Sequence, residues 1–127
     1  MDQIQAETYL LSQQQAKKQY PFGSEVTVFK VNNKMFATLS LGKMGKGGEK
    51  NHLDWWMNLK CDPDEAFALR DIFDSVLPGY HMNKRHWNTI ILDNSIPENE
   101  IKRMIDNSYS LVVSQMSKKD QLKLVCR

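Results

Sequence analysis

Few cysteines, few histidines and no long apolar run set the first limits on this chain. Cys61 and Cys126 stand 65 residues apart, in no CxxC or metal-ligand spacing. A reducing compartment would leave both as thiols, and neither is expected to carry a function. His52, His81 and His86 are the only histidines, and the last two are five apart, which suits one face of neither a helix nor a strand. No zinc or other metal site is therefore expected, and no cofactor. There is no stretch of about 18 apolar residues to span a bilayer. Met1-Asp2-Gln3 lacks the basic and apolar regions of a signal peptide, so a cytoplasmic protein is expected. No Ser-His-Asp or Cys-His ordering stands out, and Asp62, Asp64 and Glu65 are accounted for as helix-start residues. The chain offers no catalytic constellation, and the expectation is a binding module rather than an enzyme.

What is present fits one domain over residues 1–127, 41% apolar and able to bury one core. The net charge of +2 is unevenly spread. Residues 61–77 hold one arginine against five acids, a net of −4, which leaves +6 for the remainder. An acidic helix beside a mildly basic body permits nucleic-acid binding by one face without demanding it.

Along the chain, Asp2 is placed to cap a first helix running to about Lys18, with Ile4, Leu10 and Leu11 as its sparse apolar positions. Pro21-Phe22-Gly23 ends that segment. Val26 to Val31 alternates over β-branched and aromatic residues, Asn32-Asn33 tolerates the positive φ of a tight turn, and Met35, Ala37, Leu39 and Leu41 alternate again. This predicts a hairpin. A third strand follows, with Leu53, Trp55, Met57 and Leu59 facing one way and Asp54, Trp56, Asn58 and Lys60 the other. Asp62-Pro63-Asp64-Glu65 starts a second helix whose apolar positions are Ala66, Leu69, Ile72, Phe73, Val76 and Leu77. Pro78-Gly79 breaks it, and Asn88 to Asp93 reads as a strand. Ser95 with Glu98 suggests a capping box for a long helix carrying Ile101, Met104, Ile105, Ser108, Val112 and Val113. Ser117 with Asp120 marks a short last helix. The order α-β-β-β-α-β-α-α predicts a two-layer α+β fold, an antiparallel sheet with helices packed on one face.

Two segments invite a functional reading. Gly42 and Gly47 have the separation of P-loop glycines, but Gly48-Glu49 stands where lysine and serine or threonine belong, and no helix follows. The segment reads as a connector whose Lys43, Lys46 and Lys50 are available to a polyanion. The run Gly79-Tyr80-His81-Met82-Asn83-Lys84-Arg85-His86-Trp87 packs cations, imidazoles, an amide and two aromatic rings into nine residues. Lys84 and Arg85 suit phosphate contacts, and Tyr80, His86 or Trp87 suit stacking on a base. The same residues admit a structural reading, with Trp87 as a core anchor, Asn83 as a turn-former and Lys84-Arg85 as a solvated tip.

At this point the chain resembles the MmcQ/YjbR family of small bacterial proteins, whose fold is similar to that of CyaY and of type III secretion chaperones. The resemblance covers nearly the whole length. It rests on Pro21-Phe22-Gly23, Val28-Phe29-Lys30-Val31 with Lys34-Met35-Phe36-Ala37, Asn58-Leu59-Lys60, the run from Pro78 through His81 and Trp87 to Thr89, and Ser108-Tyr109. It implies one antiparallel sheet covered by helices and a DNA-binding role through two wing-like projections, with no catalytic residues to carry over. The glycine-rich loop 42–51 departs from the family pattern.

The leading expectation is thus a non-enzymatic DNA-binding domain whose Lys84, Arg85, His81 and His86, aided by Lys43, Lys46 and Lys50, meet backbone phosphates. The alternative is a protein-interaction or chaperone-like domain binding a peptide on its sheet face. Trp56 favours the alternative, because it lies on the otherwise polar face of its strand and should be exposed or covered by a partner if Trp55 is buried.

Overall fold

Asp2 opens the first helix, α1 (Gln3–Ser12), with a complete capping box: its carboxylate accepts from the Gln5 N–H at 2.8 Å, and its own N–H donates to the Gln5 side chain at 2.9 Å. The computed structural model describes residues 1–42 and 54–125. After α1 come β1 (Lys17–Gln19), β2 (Val26–Val31), β3 (Lys34–Leu41), β4 (Trp55–Lys60), α2 (Pro63–Ile72), β5 (Val76–Pro78), β6 (Trp87–Leu92), α3 (Glu98–Ser114) and α4 (Lys118–Val125). All strand pairs are antiparallel, in the order β1-β2-β3-β4-β6-β5. The α+β architecture expected from the sequence is the one observed.

The differences lie at polar or short segments. Helix α1 stops at Ser12, not near Lys18, because the turn through Gln15 takes a positive φ of 59° and Lys17–Gln19 joins the sheet edge as a strand. That strand has no apolar periodicity to betray it. Helix α2 stops at Ile72, not Leu77, and Val76–Pro78 pairs with β6 as a second unforeseen strand. Leu53 lies outside the described residues. Ser95 does not cap α3: Pro97 holds that position without a side-chain bond, and Ser95 bonds Asp93 instead. Asp62 sits at the N-cap of α2 but makes no side-chain cap bond. The Asn32-Asn33 turn is as expected, with φ of 47° and 62°, the left-handed pair a two-residue hairpin requires.

One face of the sheet meets the helices. Phe29, Val31, Ala37, Leu39, Met57, Leu59 and Ile90 pack there with Ala6 and Leu10 of α1, Ala66 and Leu69 of α2, and Ile101, Met104, Ile105 and Val112 of α3. Leu124 of α4 joins the same cluster, and its carbonyl accepts from the Gln14 side chain just beyond α1.

A bulge in β3 decides which residues reach that core. Phe29 pairs with Ala37 but Lys30 pairs with Met35, so Phe36 is the extra residue. Phe36 and Ala37 are therefore both fully buried in the core, and Met35 turns to the opposite face, away from the row with Ala37 and Leu39 that strict alternation assigns it. The bulge belongs to the β2–β3 ladder; on the other side of β3 the ladder to β4 ends at Ala37 and Leu59, and Ser108 of α3 bridges the backbone groups just beyond that end. Its hydroxyl donates to the Phe36 carbonyl at 2.6 Å and accepts from the Lys60 N–H at 2.9 Å. The Tyr109 ring stands edge-on to Phe36 at 5.5 Å, and its hydroxyl donates to the Gln14 carbonyl at 2.7 Å.

Two expected outcomes follow from these contacts. Ser108→Ala strands a buried carbonyl and a buried N–H, each costing about 1–3 kcal/mol. Its urea midpoint should fall clearly with an unchanged slope, and an unchanged midpoint would refute the bridging role. Asp93 is the pH counterpart. Burial pushes its carboxyl pKa up, but hydrogen bonds from Ser75 and Ser95 outweigh that and hold it below the usual carboxylate value. A depressed folded pKa stabilises above the unfolded value, and that contribution disappears as pH falls through the folded one. Acid should therefore erode the stability of the native chain more than that of Asp93→Asn, measured as urea midpoints between neutral pH and about pH 3.

Candidate functional site

The segment between β5 and β6 is a tightly tethered turn. Gly79 donates its N–H to the Trp87 carbonyl at 2.9 Å, and a Cβ at Gly79 would come within 2.8 Å of the Trp87 Cβ, so no larger residue fits. The Tyr80 N–H donates to Thr89 Oγ1 at 2.8 Å. Asn83 builds the tip, as a turn-former does: its side-chain oxygen accepts from the Arg85 N–H at 2.9 Å and its carbonyl from the His86 N–H at 3.2 Å. From α2, Arg70 donates to Asn88 Oδ1 at 2.7 Å, to the Trp87 carbonyl at 3.2 Å and to the Lys84 carbonyl. The Cys61 N–H donates to the His86 carbonyl at 2.8 Å. Trp87 is half-buried beside Gly79 and outside the core cluster, so it is not the core anchor that the structural reading of this run makes it.

The backbone of this turn is pinned while its charged side chains are left in water. Lys84, Arg85 and His86 are all exposed, and none forms a salt bridge among the described residues. Lys84 Nζ makes one long bond, 3.3 Å, to the Gly79 carbonyl. His81 is separated from them in role. It takes a φ of 58°, and its ring leans on Tyr80 with centroids 4.0 Å apart, at the rim of a groove. Lys43, Lys46 and Lys50 lie outside the described residues, as do His52 and Cys126.

That groove occupies the sheet face away from the helices and has a volume of about 750 Å³. Its floor is made by Thr38, Ser40, Trp56 and Asn58, and its walls by Phe22, Met35, Leu41, Tyr80 and Met82. A polar chain crosses the floor over three strands: the Asn58 amide donates to Thr38 Oγ1 at 3.1 Å, and its oxygen accepts from the Thr89 hydroxyl, which in turn takes the Tyr80 N–H. Trp56 is half-buried and covered from within the chain, where full exposure or a partner's cover is the expectation. The Tyr80 ring packs edge-on against it at 5.3 Å, and Gly42 lies on its indole nitrogen, so closely that a Cβ would come within 2.3 Å. Trp56 Nε1 is shut off from solvent without a hydrogen-bond partner among the described residues. Sequence reasoning singled out Trp56 and Tyr80 but missed Phe22, Met35, Thr38 and Asn58. The alternation of polar residues on β3 and β4 carried a signal for the last two, whereas Phe22 is brought in by a loop and Met35 by the bulge.

Cys61 faces the helix layer. Burial first, then the negative charges of Glu65 and Asp62, push its thiol up to about 11, which leaves it protonated and unreactive at neutral pH. Among the described residues no group of three or more His, Cys, Asp and Glu side chains is gathered as a metal site, and no helix is long and apolar enough to cross a membrane.

Comparison with known proteins gives a consistent family. A family model described as YjbR matches residues 11–111. The chain is 36% identical over 105 residues to the uncharacterized protein YbdF of Escherichia coli O157:H7, covering 83% of this chain and 79% of that one. It is 36% identical over 69 residues to the uncharacterized protein YjbR of Escherichia coli K12, covering 54% and 58%. The crystal structure of the Deinococcus radiodurans protein DR2400, with a domain described as DUF419, superposes with a TM-score of 0.82 at 26% identity, over 99% of this chain and 89% of that one. A Pseudomonas syringae crystal structure superposes with a TM-score of 0.77 at 29% identity, over 87% and 98%.

The tethering of the turn has a direct test. Arg70→Lys keeps the charge but loses the planar fork that reaches Asn88 Oδ1 and two carbonyls at once. Amide exchange in residues 79–87 should accelerate and global stability should fall by about 1–3 kcal/mol. Unchanged exchange in the turn would show that Arg70 does not hold it.

Proposed function

The chain belongs to the YjbR family, and from that premise we propose that it is a non-enzymatic nucleic-acid-binding module contacting backbone phosphates through the turn between β5 and β6. The observation that carries this reading is the pinned turn with free cations. Lys84 and Arg85 project into solvent from a backbone fixed by Arg70, Cys61 and Trp87, so little backbone entropy is lost when they meet phosphate. His86 supplies a further donor on the same turn, while His81 stands at the rim of the groove. DNA is the ligand favoured here, and a sequence-independent, electrostatic mode is implied because the turn offers charge rather than an element shaped to enter a groove.

A second reading has one observation of its own. Phe22 and Leu41 are 72% and 44% exposed beside the sheet-face groove, an apolar rim suited to a peptide or partner protein.

With roughly three to six phosphate contacts, the logarithm of DNA affinity should fall against the logarithm of salt with a slope of about −3 to −5. Anisotropy titration at two salt concentrations measures it, and no binding at low salt would refute the reading. The double variant Lys84→Ala, Arg85→Ala should flatten that slope by about 2 and leave the melting temperature nearly unchanged, since exposed charges contribute little to folding.

A further inference from the structure

We propose that the groove on the open sheet face receives an unpaired base of a single-stranded nucleic acid, with the neighbouring phosphate on Lys17 and Lys30. The inference rests on the nucleic-acid reading above and adds to it the form of the nucleic acid and a second contact surface.

Three properties of the groove meet in this ligand. The first is size and lining. Its volume of about 750 Å³ falls within the range of pockets that bury a small planar group, and it is walled by rings that water would otherwise cover. Phe22 is 72% and Tyr80 53% exposed; His81 leans on Tyr80, while the Phe22 ring has no aromatic neighbour among the described residues. Stacking on such faces is tolerant of which base is offered.

The second property is unused hydrogen-bonding capacity at the floor. Asn58 spends one amide hydrogen on Thr38 and one lone pair on Thr89, and retains one of each. The Ser40 hydroxyl has no partner among the described residues. Adjacent donors and acceptors of this kind match the edge of a base that is not engaged in pairing.

The third property is charge. Lys17 on β1 stands directly opposite Lys30 on β2, and Lys30 in turn pairs with Met35, a wall of the groove. Like charges directly across a sheet are destabilising, and neither lysine has an acidic partner among the described residues. A phosphate placed between them removes the repulsion. His81 sits at the rim on the far side, and Glu25 is the one acid among the lining residues. A polar floor between aromatic walls, with two lysines at one end, suits a polyanion with flat side groups. A duplex keeps its bases stacked inside and presents none of them to the groove.

The test compares an oligothymidylate with a blunt duplex at low salt, read by tryptophan fluorescence and by anisotropy of labelled strands. The single strand should bind more tightly and quench fluorescence, and Trp56→Phe should abolish most of the quench although Trp55 and Trp87 remain. Tyr80→Ala should weaken single-strand binding on the order of tenfold. Phe22→Ala, at an exposed position that does not threaten the fold, should act in the same direction. Lys17→Ala with Lys30→Ala should weaken the single strand while raising the unfolding midpoint. Equal affinity for both nucleic acids, with Tyr80→Ala and Phe22→Ala neutral, would overturn this inference and leave the phosphate-binding turn standing. Absence of binding to either nucleic acid would overturn both. Quenching by an acidic peptide that displaces oligothymidylate from the groove would assign it to a protein partner and overturn the inference.

Discussion

The hydroxyl of Ser108 is the contact on which the arrangement of both sheet faces depends. The ladder between β3 and β4 ends at Ala37 and Leu59, which leaves the Phe36 carbonyl and the Lys60 N–H beyond it, and backbone groups shielded from water without partners are costly. Ser108 satisfies both from the middle of α3, itself fully buried, and thereby fastens the longest helix to β3 and β4 at one point. With its carbonyl held there, Phe36 packs in the core, and Tyr109 meets it from the next position on the helix. Tyr109 then reaches Gln14, so the same turn of α3 also fixes the connection between α1 and the edge strand. A small polar residue at the centre of an apolar helix face thus does more positioning than its apolar neighbours.

The bulge has its second effect on the opposite side of the sheet. By turning Met35 outward it adds a flexible apolar wall next to Thr38 and Asn58, and it lets Lys30 share that face. The polar chain through Thr38, Asn58 and Thr89 ties three strands together on a side that no helix covers, and ends on the N–H of Tyr80. The basic turn and the groove are therefore not independent features. Tyr80 belongs to the turn by sequence and to the groove by packing, so any force on one is felt by the other.

Much of this was legible in the sequence where periodicity and burial coincide. The cap at Asp2, the paired asparagines of the hairpin, the two faces of β4 and the apolar stripe of α3 each carry a clear local signal, and the structure contains them all. Lys17–Gln19 and Val76–Pro78 were not legible, because three-residue edge strands are made by their partner rather than by their own side chains. The bulge was hidden for a related reason: Met35, Ala37, Leu39 and Leu41 alternate as well as any regular strand, and only the helix above distinguishes Phe36 from Met35. For the site, the residues of the turn stood out by composition, whereas the groove draws on four separate stretches of chain and no one of them carries its signature.

The charge asymmetry read from the sequence acquires a direction once folded. Helix α2 and its flanks, with Asp62, Asp64, Glu65, Asp71 and Asp74, lie against the base of the basic turn, and the one arginine there spends its guanidinium on Lys84, Trp87 and Asn88. A polyanion approaching from the helix layer meets a repelling field, screened only beyond about 10 Å at moderate salt. Approaching from the open face it meets Lys30 and Lys17, with Glu25 the single acid among the groove residues. Arg70 thus holds the turn without neutralising it, and the acids beside it repel polyanions from the helix side, leaving the open face as the favoured approach.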